Sequence, residues 1–123
     1  MPILDVEMVL PAGARAPRGM SAAIAEAAAD VFHSAPGHTW VRLRELSEEN
    51  YSESGGGPGP DVQPVFVHVL KAVVPSEAEL ESEVTALASA IARACNRAVE
   101  NVHILYDQPA AGRIAFGGRL LRR

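Results

Sequence analysis

The sequence predicts an α/β fold made of two tandem β-α-β units that build a four-stranded mixed sheet with two helices on one face. Three observations carry that expectation. An opening alternation, Pro2-Ile3-Leu4-Asp5-Val6-Glu7-Met8-Val9-Leu10, returns 62 positions later as Pro64-Val65-Phe66-Val67-His68-Val69-Leu70-Lys71-Ala72. A stripe at helical spacing, Met20, Ile24, Ala27 and Val31, returns 60 positions later as Leu80, Val84, Leu87 and Ile91. A short β-branched run, Val41-Arg42-Leu43, returns 61 positions later as Val102-His103-Ile104. Offsets that agree so closely, each about half of the 123 residues, mark an internal duplication visible in pattern more than in identity.

Each element has a local reason. Period-two alternation rich in Val and Ile argues for a strand, and the i, i+4, i+7, i+11 stripe for an amphipathic helix with one face on a sheet. The first helix is expected from near Pro17, a residue tolerated in a first turn, to about His33, stopped by Pro36-Gly37. Its alanines, Ala22, Ala23, Ala25, Ala27, Ala28 and Ala29, make it thin enough to lie close to the sheet. The second helix carries a capping box, Ser76 with Glu79, and is expected to end near Asn96. In each unit the helix is the right-handed crossover between parallel strands. Residues 52–60, Ser-Glu-Ser-Gly-Gly-Gly-Pro-Gly-Pro, read as a flexible connector; no Lys-Ser/Thr pair follows the glycines to suggest a phosphate cradle. The expected organisation is one domain over 1–123, with a first unit at 1–50, a linker at 51–62, and the second unit with a C-terminal tail at 63–123.

Composition narrows the function classes. The 48% hydrophobic and 21% charged residues are those of an ordinary globular domain. A net charge of −4 argues against nonspecific nucleic-acid binding, which needs a basic surplus to neutralise phosphates. The single cysteine, Cys95, has no internal disulfide partner, and no cationic segment followed by an apolar run suggests a signal peptide, so a cytoplasmic location is expected. No apolar run reaches the length of a membrane-spanning helix, so no membrane partner is expected.

Pro2 follows the initiator Met1, and a small second residue normally permits removal of that methionine. The chain would then begin with a free secondary amine. An α-amino group titrates at about 7.7–8.0 and falls lower when desolvated or placed beside cations, which suits proton abstraction next to a carbonyl. The competing reading is a proline that merely starts a strand, where its missing N–H costs nothing.

Four further groups are candidates. Alternation along the second strand puts Trp40, Arg42 and Arg44 on one face, with Val41 and Leu43 on the other. Two guanidinium groups beside an indole make a carboxylate grip, or else a solvated edge with ordinary surface pairs. Arg15, in the loop before the first helix, is placed to point toward the same end of the sheet. Gly112-Arg113-Ile114-Ala115-Phe116-Gly117-Gly118 is either a pocket wall or simple hairpin packing. Tyr106 and Asp107 close the last regular strand and either orient a water or cap the strand. His68 and His103 are expected on adjacent strands, but two histidines without a third ligand do not specify zinc, and no metal is assigned.

Taken together, the Met-Pro-Ile opening, the β-α-β unit, Val-Arg-Leu in the second strand and the Gly-x-x-x-Phe-Gly-Gly tail resemble the tautomerase superfamily over the whole chain. That superfamily includes oxalocrotonate tautomerase, carboxymethyl-hydroxymuconate isomerase, haloacrylate dehalogenases and macrophage migration inhibitory factor. The resemblance implies a cofactor-independent isomerase of a small enolic or unsaturated α-keto carboxylate, assembled as a homotrimer. It implies Pro2 as general base or acid, Arg15 as the loop arginine, Arg42 as the strand arginine, and Arg44, Trp40, Tyr106 and Phe116 at the substrate.

The chain also departs from the pattern. Pro64 is tied in an amide, His103 stands where the second unit would match Arg42, and no arginine corresponds to Arg15, so one active site per chain is expected. The tail aromatic of short tautomerases falls where this chain has Ile114. The Arg42-Leu43-Arg44 pair is similar to that of the dehalogenase and decarboxylase branches, which keeps a hydratase, dehalogenase or decarboxylase of a short unsaturated or β-keto acid as the alternative. A non-catalytic ligand-binding homologue is the third reading, since a fold alone carries no chemistry.

Overall fold

The structure is a computed structural model and describes residues 2–123. Met1, on whose removal the free amine depends, lies outside the described residues. The first strand, β1 (Ile3–Leu10), sits in the interior of the sheet, parallel to β2 (Trp40–Ser47) and antiparallel to β3 (Val65–Leu70), which is parallel to β4 (Val102–Tyr106). The order β2-β1-β3-β4 thus joins two parallel pairs through one antiparallel seam, the mixed sheet that the duplication predicts. A two-stranded hairpin, β5 (Ala115–Phe116) and β6 (Arg119–Leu120), follows.

Alternation decides which side of this sheet is dry. Leu4, Val6 and Met8 of β1, Val65, Val67 and Val69 of β3, and Val102 of β4 are buried on the face covered by the helices α1 (Met20–Phe32) and α2 (Glu77–Cys95). The helices contribute Met20, Ile24, Ala28, Leu87, Ile91 and Cys95 to the same core. In α1 the buried position is Ala28, with Ala27 only half-buried beside Val31, Ala90 and Ala94 along the groove between the two helices.

The first helix starts later than expected, while both helices end where expected. The first helix begins three residues after Pro17, because Gly19 lies at φ 84, outside the helical region, and Pro17 only closes the preceding turn. It stops at His33 itself, in the left-handed conformation at φ 54, and α2 stops at Asn96 with the same φ. Both ends close alike, by Ser34 N–H to the Ala29 carbonyl and Arg97 N–H to the Ala92 carbonyl. The duplication therefore extends to the caps, where residue identity had concealed it. At the start of α2 the Ser76 hydroxyl accepts from the Glu79 N–H, one half of the expected capping box, and donates to the Glu79 carboxylate.

The connector is more ordered than its composition suggests. Glu53 N–H donates to the Gly57 carbonyl at 3.0 Å, the Tyr51 hydroxyl to Glu53 at 2.7 Å, and the Tyr51 ring packs on Phe66. These bonds close the glycines into a turn. No helix among the described residues is long and apolar enough to cross a membrane.

Candidate active site

The uncovered face of the sheet is written by the register. Trp40 lies beside Ile3, Arg42 beside Asp5 and Arg44 beside Glu7, with Leu70, His68 and Phe66 as their counterparts on β3. Trp40, Arg42 and Arg44 do share one face, as alternation required. Arg42 is held by Asp5 in a bidentate pair, Nε at 2.6 Å and Nη2 at 2.8 Å, and Arg44 approaches the same carboxylate at 3.6 Å. The hydrogen bond from Arg42 keeps the Asp5 carboxyl below its ordinary range and raises the guanidinium in turn.

Arg15 stands elsewhere. Its Nε bonds Glu45 at 2.8 Å, and Glu45 also accepts from the Ala16 N–H, the larger of the two causes that lower its carboxyl. Glu45 is three residues along β2 from Arg42 and of opposite alternation, so one chain does not bring Arg15 to the arginine pair. The last strand also divides its two candidates between faces. Tyr106 turns to the helix side and donates its hydroxyl to Glu83, which also takes the Lys71 ammonium at 2.9 Å over the Phe32 ring. Burial and that acceptor push the phenol well up. Asp107 faces the other way, 3.5 Å from His68. His103 packs on Phe66, and among the described residues no group of three or more His, Cys, Asp or Glu converges on a metal position.

The tail explains how Pro2 acquires surroundings. After β4 the chain follows the end of β3, with Ala110 N–H to the Lys71 carbonyl and Ala111 N–H to the Ala72 carbonyl. It then reaches the start of β2, where Phe116 meets Trp40 edge to face at 5.5 Å. Both readings of the tail therefore hold: β5 and β6 pack as a hairpin, and Phe116 makes a wall. Ile114, two residues earlier, is not the aromatic wall here.

Gly37, His38, Trp40, Phe116 and Leu121 line a cavity of about 310 Å³ at this place, within the usual range for small-ligand pockets. The Trp40 N–H donates to the Pro2 carbonyl at 3.0 Å. In an extended residue the nitrogen and carbonyl lie on the same side, so the Pro2 nitrogen also faces β2, toward the ladder position of His38. His38 escaped the sequence reading; its one signal was a titratable side chain two residues before Trp40.

No protein-family model and no curated protein matches the chain. Solved structures do. F6 fused 4-OT, an asymmetric trimer, superposes with a TM-score of 0.71 at 17% identity, covering 94% of each chain. Macrophage migration inhibitory factor from Oncomelania hupensis gives 0.72 at 18% identity over 98% of this chain and 82% of that one. FG41 malonate semialdehyde decarboxylase inhibited by 3-bromopropiolate gives 0.70 at 16% identity, over 94% and 88%. At these identities the likeness is one of fold, and the chain has the fold of the tautomerase superfamily in its fused, two-unit form.

Proposed function

We propose that the protein is an isomerase that moves a proton within a small enolic or unsaturated α-keto carboxylate, with Pro2 as the proton carrier. The observation that supports this reading best is the placement of Pro2 just before an interior strand, bonded through its carbonyl to Trp40, whose ring lines a cavity with Phe116. Once Met1 is removed, the neutral amine takes the enol hydroxyl proton and returns it to carbon, so no cofactor is needed. Arg42 binds the carboxylate through the guanidinium edge that Asp5 leaves open, with Arg44 beside it. Trp40 and Phe116 receive the apolar part of the substrate.

Assembly belongs to the same reading. The open sheet face and the exposed edge strand β2 require cover, and cyclic closure provides it. The similar fused 4-OT forms a trimer, and a homotrimer of this chain would bring Arg15 of one subunit within reach of a neighbour's site. The water-adding alternative is less well supported, because the Tyr106 hydroxyl is engaged by Glu83 and Asp107 faces His68.

The deciding experiment is a ketonisation assay on phenylenolpyruvate and hydroxymuconate beside a hydration assay on haloacrylates, with intact mass to establish loss of Met1. Isomerisation by the Pro2-terminated protein is expected. Hydration without isomerisation would overturn the reading, and light scattering showing an active monomer would overturn the trimer.

A further inference from the structure

Among the described residues lining the cavity, Gly37, Trp40, Phe116 and Leu121 are apolar or lack a side chain, and the other is His38. Arg42 and Arg44, which converge on Asp5, are not among the described residues of that lining and are assigned to the carboxylate. The oxygen of an enolic substrate seated between Trp40 and Phe116 therefore meets a single side chain within the lining that can donate a hydrogen bond without leaving its own partner open.

The approach to that position is fixed by backbone. Gly37, at φ 81, turns the chain just before β2, and its carbonyl accepts the Trp40 indole N–H at 2.9 Å. The His38 N–H closes the same turn on the Ala35 carbonyl at 3.1 Å. Ladder geometry directs the Pro2 nitrogen toward the backbone carbonyl of the same residue. The turn thus places His38 in the lining of the cavity, on the strand end next to Pro2.

We propose that His38 is a second catalytic residue of the Pro2 site, donating a ring N–H to the substrate oxygen as it becomes an enolate. This rests on the isomerase reading and adds a named oxygen partner to it. The step balances without a co-reactant. The Pro2 nitrogen takes the hydroxyl proton, the electron pair left on oxygen is held by the His38 N–H, and the pair collapses to a carbonyl as Pro2 returns the proton to the α-carbon. His38 begins and ends with its own proton. A donor aimed at the developing charge lowers the barrier more than it tightens ground-state binding, so its loss falls on kcat rather than KM.

The test uses the Met1-free full chain. In phenylenolpyruvate ketonisation His38→Ala should lower kcat by about a hundredfold or more with little change in KM, and His38→Gln, which keeps an N–H donor, should recover part of it. In parallel, NMR of the four histidines during titration with phenylpyruvate should move the His38 ring resonances and leave those of His33, His68 and His103 in place. A His38→Ala enzyme within about threefold of the parent kcat would overturn the proposal while leaving the Pro2 reading intact. If the parent protein turns over neither enol, the Pro2 reading falls and the titration decides alone: a His38 shift keeps it as a ligand contact, and an unmoved His38 overturns it.

Discussion

Asp5 grips Arg42 through Nε and Nη2, and that grip leaves the outer edge of the guanidinium facing away from the carboxylate. Asp5 therefore orients the arginine rather than consuming it. Asp5→Asn should raise KM for a carboxylate substrate several-fold with a smaller change in kcat. A fall in KM would show instead that Asp5 competes with substrate. Because the Asp5 carboxyl is held low in the folded chain, the pair's stabilisation is full above the ordinary carboxylate range and is lost as pH falls through the lowered value. Melting curves of parent and Asp5→Asn should converge only in acid.

Retaining Met1 turns the Pro2 nitrogen into an amide and removes its basicity. Protein in which Met1 is kept should lose isomerase turnover, whereas Pro2→Ala, with a primary amine at its start, should retain part of it with a displaced pH–rate profile. Equal rates for Met1-bearing and Met1-free protein would rule out the amine as the base.

Arg42 and His103 occupy matching positions in the two units, but only Arg42 carries a permanent charge. Arg42→Ala should reduce kcat/KM by an amount equivalent to about 2–4 kcal/mol, and His103→Ala, which removes a packing partner of Phe66, should change turnover little. Comparable losses would indicate a second site in each chain.

Phe116 and Trp40 form one wall, so they should act together. Phe116→Ala should raise KM for phenylenolpyruvate more than for hydroxymuconate, and the combined Trp40→Ala variant should add less than the sum of the separate losses, as expected of side chains in contact. Strict additivity would place the two rings in separate roles. Trp40 is the chain's single tryptophan, so its fluorescence reports occupancy of the cavity directly.

The core offers a stability check independent of function. Leu87 is fully buried between α2 and the sheet, and Leu87→Ala should destabilise the fold by about 2–5 kcal/mol in chemical denaturation. A loss well below 1 kcal/mol would mean that the helix is not seated as described.

Much of this architecture was legible because alternation and helical spacing are local. Leu4, Val6 and Met8 face inward in any sheet that buries one side, and the duplication gave the order of elements. Register is not local. Nothing in Asp5 or Arg42 alone says that they stand side by side, so the ion pair appeared only with the β1–β2 ladder. The course of the tail was hidden for the same reason: Ala110 and Ala111 bond backbone to backbone with Lys71 and Ala72, contacts that no side chain announces. The end of α1 near His33 was legible from Pro36-Gly37, but the left-handed cap that makes the stop, in a conformation usually left to glycine, was not. Arg15 lay in a readable position, but its Glu45 partner depended on where β2 would pass.

The course of the tail from the end of β3 to the start of β2 brings Phe116 and Pro2 to the same residue, Trp40. Gly112 N–H bonds the Leu121 carbonyl at 2.7 Å, and Arg123 Nε reaches the Ala111 carbonyl at 3.5 Å. Arg123 thus fastens the strip that carries Phe116 to Trp40. A growing chain therefore has no aromatic wall at Trp40 until residues 110–121 have emerged and folded back, so the cavity is a late product of tertiary closure.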